Sequence, residues 1–291
     1  MKNHQYIVVT AARNEADYIE NTITSLTSQT VKPMKWIIVN DGSSDDTGKI
    51  ADRAASEHDW ITVIHRGDRG FRKVGGGNVD ALYEGFDSVA ELPYEFLCVV
   101  DADLIFGENY FANLFKKFDE DKDLGIAGGR VYDLKDGELV KLVCRSEMTF
   151  GALKCWRREC FEDFGGLVRH PGWDGLDCYG AMLKGWTTRT FEEPEMHITH
   201  LRPMGSSQKN IYSGRVRRGR GFYLMGAHPL WVLASACYHV TEPPYLAGPF
   251  CVMYGFIKAL FEGEPRQISN ELARFVRTWQ LNQMFSFWKA R

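Results

Sequence analysis

The chain has 291 residues, of which 44% are hydrophobic and 25% charged, so it can bury a full core and is not intrinsically disordered. Its formal net charge of −3 disfavours a general nucleic-acid-binding protein, because such proteins are usually basic. We therefore expect no nucleic-acid partner.

The seven cysteines include no C-x-x-C pair, and several lie inside apolar segments. This distribution predicts neither a zinc site nor a disulfide framework, and it favours a reducing compartment. The first apolar run, at residues 6–10, is too short for a secretory signal and suits a strand. We therefore expect a cytoplasmic protein.

The segment up to residue 103 alternates apolar runs with amphipathic helical patterns. Strands are predicted at 6–10, 36–40, 61–65 and 96–100, and helices near 15–28, 45–57 and 78–89. This alternation predicts right-handed βαβ units and a mostly parallel sheet. The stretch 107–199 mixes helices with shorter strands, such as 125–132 and 187–191, and is expected to extend the same sheet.

Two of the predicted strands end on carboxylates. Asp41 follows the second strand in N-D-G-S-S-D-D-T at 40–47, and Asp101 and Asp103 follow the fourth strand. Open α/β sheets bind ligands at the carboxyl ends of their strands, and hard oxygen ligands suit Mg²⁺ or Mn²⁺ shared with a diphosphate. A second D-x-D pattern, at 119–123, has no apolar strand before it and indicates a solvated helix end.

Three glycines at 75–77 follow several basic residues and lead into a predicted helix. Glycines allow backbone N–H groups to approach an anion, which favours phosphate binding, and the alternative is a flexible surface loop. No G-x-G-x-x-G follows the first strand and no G-x-x-x-x-G-K-[ST] occurs in the chain. These absences disfavour a dinucleotide-dependent dehydrogenase and a P-loop enzyme.

The last third of the chain changes character after four arginines between residues 215 and 220. No Asp, Glu, Lys or Arg occurs at 221–241 or at 243–257. A membrane span of about 20 residues would fit this length, but Gly226, Pro229 and the Pro243-Pro244 pair interrupt it. We expect two short helices at a membrane interface, and the alternative is a helical pair packed on the catalytic domain or a partner.

Several of these motifs together resemble family-2 glycosyltransferases with a GT-A fold. They are T-A-A-R-N-E at 10–15, N-D-G-S-S-D-D-T at 40–47, D-R-G with G-G-G-N at 68–78, and D-A-D at 101–103, continued by G-W-D-G-L-D at 172–177 and H-L-R-P-M-G-S at 200–206. The resemblance implies an α/β fold of the GT-A type, a Rossmann-like, mostly parallel sheet flanked by helices. The catalytic domain would span 1–205, with a nucleotide-sugar half at 1–103 and an acceptor half at 104–205. A helical, membrane-interfacial extension would follow at 206–291.

The same resemblance implies roles for individual residues. Asp174 would be the general base, with Asp177 in reserve because Trp173 replaces the Glu that usually precedes the base. Divalent Mn or Mg would be held by Asp103 and Asp101 and completed by His200. A UDP- or GDP-linked donor would be bound by Thr10, Ala11, Arg13, Glu15, Asp41, Arg69, Gly76 and Asp101. The Q-x-x-R-W motif of the family is absent at Gln208, which disfavours a processive polymerase.

These roles imply an inverting transfer by a single displacement. The sugar would move from a nucleotide sugar to a glycan or a polyprenyl-linked saccharide in polysaccharide assembly, at the inner face of the cell membrane. Two alternatives stay open. A sugar nucleotidyltransferase should carry a Gly-rich loop straight after its first strand, which this chain lacks, and a catalytically silent nucleotide-sugar-binding scaffold subunit of a glycan-assembly complex should lack the acidic residues.

Overall fold

The computed structural model describes residues 4–68, 70, 76–169, 172–202, 211–238, 240 and 245–289. Its first part alternates strands and helices as predicted: β1 (Tyr6–Ala12), α1 (Ile19–Thr27), β2 (Lys35–Asn40), α2 (Thr47–Glu57), β3 (Ile61–His65), α3 (Gly76–Asp87) and β4 (Phe96–Val100). Each predicted element in this part is present. The strands are easy to predict because each is an apolar run with turn residues at its ends.

The middle of the chain adds strands to two different sheets. Its elements are β5 (Leu104–Phe106), α4 (Tyr110–Glu120), β6 (Leu124–Gly129), β7 (Val131–Lys135), β8 (Glu138–Lys141), β9 (Leu153–Arg157), α5 (Arg158–Asp163), α6 (Trp173–Leu183), β10 (Thr187–Phe191) and β11 (Ile198–His200). The exposed acidic stretch at 119–123 lies where α4 ends, which confirms the predicted solvated helix end.

The larger sheet has seven strands in the order β10-β6-β9-β4-β1-β2-β3. Its neighbouring strands run parallel except where β9 pairs with β4 and β6. The chain runs outward from β1 to β3 and then returns to the other side of β1 to form β4, so a crevice opens between the carboxyl ends of β1 and β4. The predicted mainly parallel sheet is confirmed, and its topology places a ligand crevice at these two strands.

Strand β1 lies inside this sheet and is buried on both faces. Tyr6 and Val8 belong to the apolar cluster beneath α1, α2 and α4, whereas Ile7 and Val9 belong to the cluster beneath α3, α5 and α6. A shift of one residue would exchange the two sets of side chains, so packing on both faces fixes the register of β1. The turn that follows β1 is thereby held at the crevice.

The prediction of one strand at 125–132 is wrong, because this segment is shared between the two sheets. β6 ends at Gly129, where a Cβ would lie 1.8 Å from the carbonyl oxygen of Met196, and β7 begins after the buried Arg130. β7 joins the smaller sheet, whose order is β5-β11-β7-β8. In that sheet β11 pairs antiparallel with β5, which places His200 opposite Leu104 and close to the acidic motif at 101–103.

The last part of the described chain is helical, with α7 (Ile211–Leu224), α8 (Pro229–Tyr238), α9 (Ala247–Phe261) and α10 (Asn270–Lys289). α7 and α9 pack backbone to backbone: a Cβ on Gly219 would lie 1.8 Å from the Val252 carbonyl oxygen, and one on Gly255 would lie 2.0 Å from that of Val216. Within the described ranges, no helix combines the length and the apolar character needed to cross a membrane.

Replacing Gly219 with Ala should destabilise the protein, because the added methyl group meets the backbone of α9 and the two helices must separate. We expect chemical denaturation to show a loss of about 1–3 kcal/mol in the free energy of unfolding. Gly214→Ala on the same helix is the control, since no atom lies within 4 Å of its Cβ position, and it should be neutral or stabilising by up to about 1 kcal/mol. Equal effects of the two substitutions would contradict the close packing of α7 on α9.

Candidate active site

The turns after three strands of the larger sheet meet at the crevice. The Asp41 backbone N–H, after β2, donates to the Ala12 carbonyl at the end of β1, with a distance of 2.8 Å. The Asp101 backbone N–H, after β4, donates to the Ala152 carbonyl just before β9, at 2.7 Å. The structure therefore brings the predicted acidic motifs to one edge of the sheet.

Asp103 is a buried carboxylate at this edge and is only 2% exposed. Its Oδ2 atom lies 2.6 Å from Nε of Arg202 and 3.2 Å from Nε2 of His200. Burial would by itself raise the pKa of Asp103, but the hydrogen bonds and charges of these two cationic groups bring it below its ordinary value. Asp103 is therefore ionised inside the protein.

His200 lies between two carboxylates. Its Nδ1 atom is 2.9 Å from Oδ1 of Asp133 on β7, and its Nε2 atom faces Asp103 on the opposite side. Burial lowers the pKa of His200, but the hydrogen bonds and charges of the two carboxylates outweigh this effect and raise the pKa to about 9. The imidazole is therefore protonated at neutral pH, and it helps to balance the charge of the acidic motif.

Arg202 links the acidic motif to the first motif of the chain. Its Nη2 atom lies 2.6 Å from Oε1 of Glu15, in addition to its contact with Asp103, and its guanidinium lies over the Tyr18 ring at 5.4 Å from the ring centre. The sequence interpretation assigned no role to Arg202. The available signal was its place two residues after His200, since alternate residues of an extended segment face the same side.

Asp101 lies at the same edge as Asp103, but its pKa is shifted in the opposite direction. Desolvation raises the pKa of Asp101 well above its ordinary value, and the neighbouring charge of Asp103 raises it further, whereas His200 and Arg202 oppose the shift. Two carboxylates this close do not both ionise readily unless a cation lies beside them. The pair therefore favours the binding of positive charge.

Asp101, Asp103 and His200 form a donor set that suits Mn²⁺ or Mg²⁺, with hard carboxylate oxygens and one imidazole. Among the described residues, no three His, Cys, Asp or Glu side chains are arranged to hold a metal ion together. Asp103 contacts Arg202 and the protonated His200 instead, so these two groups supply the positive charge. The chemistry of the donor set fits a divalent cation, and coordination by His200 would require the imidazole to lose its proton.

Asp174 lies in the first turn of α6 with its side chain partly exposed. α6 packs against the segment before β9: a Cβ on Gly151 would lie 3.0 Å from the Cβ of Asp174. Gly151 precedes Ala152, whose carbonyl accepts the hydrogen bond from Asp101. The structure therefore places Asp174 beside the edge that carries Asp101.

Asp177, one turn further along α6, lies in the protein interior. Its carboxylate oxygens are 2.9 Å and 3.0 Å from Nζ of Lys154, and Trp156 Nε1 donates to one of them at 3.0 Å. Burial lowers the pKa of Lys154, but the charge and hydrogen bond of Asp177, together with the charges of Cys178 and Asp174, outweigh this effect and raise it, so the ammonium stays charged. Asp177 is committed to this ion pair, and Asp174 is the carboxylate of α6 that reaches the surface.

The residues expected to bind the nucleotide form a connected network. Arg13 donates to the Asp41 carbonyl and, at 2.8 Å, to Oδ1 of Asp68. Arg66 Nη1 lies 2.7 Å from Oδ1 of Asp41. These contacts join the turns after β1, β2 and β3 into one wall of the crevice, and they hold the Asp41 carboxylate in place.

The other predicted donor-binding residues differ in their surroundings. The Thr10 hydroxyl is fully buried and accepts a hydrogen bond of 2.9 Å from Trp36 Nε1, whereas Ala11 is partly exposed near the end of β1. Gly76 is buried at the first residue of α3. Arg69 lies outside the described residues.

The chain resembles known proteins in sequence and in fold. The sequence profile of "Glycosyl transferase family 2" matches residues 7–165, which include the acidic motif and end before Asp174 and His200. A poly-β-1,6-N-acetyl-D-glucosamine synthase of Staphylococcus aureus (strain MSSA476) is 26% identical over 155 residues, with 49% of this chain and 35% of that protein covered. The chain thus spans about a third of the length of that relative.

Two solved structures share the fold. A mannosyltransferase from Pyrobaculum calidifontis, in complex with GDP-Man and Mn²⁺, has a TM-score of 0.55 at 17% identity, over 98% of this chain and 82% of that chain. GalNAc-T7, with UDP, GalNAc and Mn²⁺, has a TM-score of 0.60 at 15% identity, over 94% of this chain and 54% of that one. These likenesses confirm the GT-A type of fold. Because the family profile matches more than half of the sequence, the chain belongs to glycosyl transferase family 2.

Proposed function

We propose that the protein is a metal-dependent inverting glycosyltransferase that moves a sugar from a UDP- or GDP-linked donor to a glycan or polyprenyl-linked saccharide during glycan assembly. The observation that carries this proposal is the convergence of Asp101, Asp103 and His200 at the β1/β4 crevice beside Asp174. Membership of the family supports it, as does the polysaccharide synthase among the relatives.

In this proposal the donor lies across the carboxyl ends of β1, β2 and β4. The turn at 10–15 and Asp41 hold the base and ribose, Arg69 and Gly76 are assigned to the phosphates, and Asp101 is assigned to the ribose. Asp103, Asp101 and His200 would hold a divalent cation, which would supply positive charge for the leaving nucleoside diphosphate. The solved relatives bound to GDP-Man or UDP together with Mn²⁺ support this choice of ligands.

Asp174 is the general base for the acceptor. Its carboxylate takes the proton of the acceptor hydroxyl as the oxygen attacks the anomeric carbon. The bond between that carbon and the diphosphate oxygen breaks on the opposite face, so the configuration inverts and the nucleoside diphosphate leaves. Water can replace the acceptor in the same step, which yields slow donor hydrolysis.

Asp174→Asn should lower the rate of donor hydrolysis, in which water takes the place of the acceptor, by about 10²–10⁴, because the amide cannot accept the proton. Purified protein is incubated with Mn²⁺ and a panel of UDP- and GDP-sugars, and the release of nucleoside diphosphate is measured. Donor affinity should stay close to that of the wild type. Asp123→Asn, in the exposed D-x-D pattern after α4, is the control and should keep full activity.

The same assay separates the proposal from its two alternatives. A scaffold subunit would bind a nucleotide sugar and release no diphosphate, whereas a nucleotidyltransferase would form a nucleotide sugar from a nucleoside triphosphate and a sugar phosphate. Wild-type turnover in the Asp174→Asn variant would contradict the assignment of the base.

We further propose that the protein binds peripherally at the inner face of the cell membrane. Phe250, Tyr254, Ile257 and Phe261 of α9 recur every three to four residues and are between 42% and 85% exposed, so they form one apolar stripe. Arg215 and Arg218 of α7 line a shallow cleft whose other wall includes the neighbouring residues of α9. An apolar stripe beside guanidinium groups suits the headgroup region of an anionic bilayer.

The triple variant Phe250→Ser/Tyr254→Ser/Phe261→Ser should abolish flotation with vesicles that contain anionic phospholipid, because the stripe then keeps only Ile257 to bury in the interface. The control is Leu139→Ser/Val140→Ser, which removes two exposed apolar residues of β8 and should leave flotation unchanged. Unaltered flotation of the triple variant would count against membrane binding through α9.

A further inference from the structure

A fully buried ion pair lies directly beneath the first turn of α6. Lys154 of β9 and Asp177 of α6 have side chains with no exposed surface, and the ammonium nitrogen is 2.9 Å and 3.0 Å from the two carboxylate oxygens. The proposed transfer reaction does not use either group. The role of this buried ion pair is therefore not explained by the transfer reaction.

The ammonium also holds the backbone of the residue proposed as the base. Lys154 Nζ donates to the Asp174 carbonyl at 2.5 Å, while Trp156 on the same strand donates to Asp177. The pair thus ties β9 to α6 at Asp174, which is partly exposed and lies beside the segment that carries Ala152.

Strand β9 aligns Asp174 with the acidic motif. It pairs antiparallel with β4, with Lys154 opposite Val99, and the residue before β9, Ala152, accepts the hydrogen bond from Asp101. Two contacts two residues apart, from Ala152 and Lys154, therefore set the positions of Asp101 and Asp174 from one short segment. When two reacting groups are held by the same rigid strand, the distance between them stays constant.

Stability alone gives no reason for the pair. Removing two charges from water costs more than their attraction usually returns, and apolar residues of similar volume often replace a buried ion pair with no loss of stability. A hydrogen-bonded ammonium does, however, fix direction and distance, which an apolar contact does not. General-base catalysis depends on such placement, since a shift of about 1 Å can reduce the rate about a hundredfold.

We propose that Lys154 and Asp177 are positioning residues, which hold the first turn of α6 so that the Asp174 carboxylate faces the acceptor hydroxyl. This inference rests on the proposed function, in which Asp174 is the base. Lys154 acts through the Asp174 carbonyl, and Asp177 holds Lys154 in place with the help of Trp156.

The test replaces both charges with apolar residues of similar volume, as Lys154→Met/Asp177→Leu. We expect a melting temperature near that of the wild type, unchanged binding of Mn²⁺ with UDP or GDP, and an unchanged KM for the donor. The value of kcat should fall about tenfold to a hundredfold, because Asp174 is less well placed. Trp156→Phe, which removes the hydrogen bond to Asp177 together with part of a buried ring, should show a smaller loss of kcat, and it is the variant to measure if the double variant does not fold.

A second arm measures the coupling to Asp174. In an Asp174→Asn background the double substitution should cause no further loss of kcat, since the group being positioned is gone. Amide hydrogen exchange in the first turn of α6 should also be faster in the double variant, and this readout does not depend on activity.

A folded double variant with wild-type kcat and exchange would overturn the positioning role, as would an equal loss of kcat with and without Asp174. The proposed function fails by a different result, the absence of nucleotide-sugar turnover in the wild type.

Discussion

The balance of charge around Asp103 is the interaction on which the crevice depends. Two carboxylates follow β4 at a desolvated edge, where their repulsion must be offset. The offsetting cations, His200 and Arg202, come from a segment about a hundred residues further along the chain, and they arrive there because β11 pairs with β5 in the smaller sheet. The smaller sheet is therefore part of the site, since it brings positive charge to the acidic motif.

The antiparallel strand β9 positions Asp174 relative to the acidic motif. It lies between β4 and β6, contacts Asp101 through Ala152, and reaches α6 through Lys154. The positions of both sets of groups thus depend on β4: His200 and Arg202 through the smaller sheet, and Asp174 through β9. This arrangement accounts for a crevice in which charged groups from distant segments keep fixed positions.

The sequence predicts the first four strands well, because each is an apolar run that ends at turn residues, and it predicts which acids close them. It does not predict β9, whose apolar pattern is broken by Lys154; that lysine is buried only because Asp177 reaches it from another element. Likewise, Arg202 belongs to a recognisable motif, but its contact with Glu15 joins residues 187 positions apart. Local pattern reveals elements and strand ends, whereas the pairing of buried charges depends on tertiary contacts.

The measurement that most directly tests this account is calorimetric titration of Mn²⁺ in the presence of UDP or GDP. If Asp103 anchors the cation at the crevice, Asp103→Asn should weaken Mn²⁺ binding about tenfold or more, while Asp123→Asn should bind as the wild type does. Circular dichroism would establish that both variants are folded. Equal Mn²⁺ affinity in the wild type and in Asp103→Asn would contradict the account.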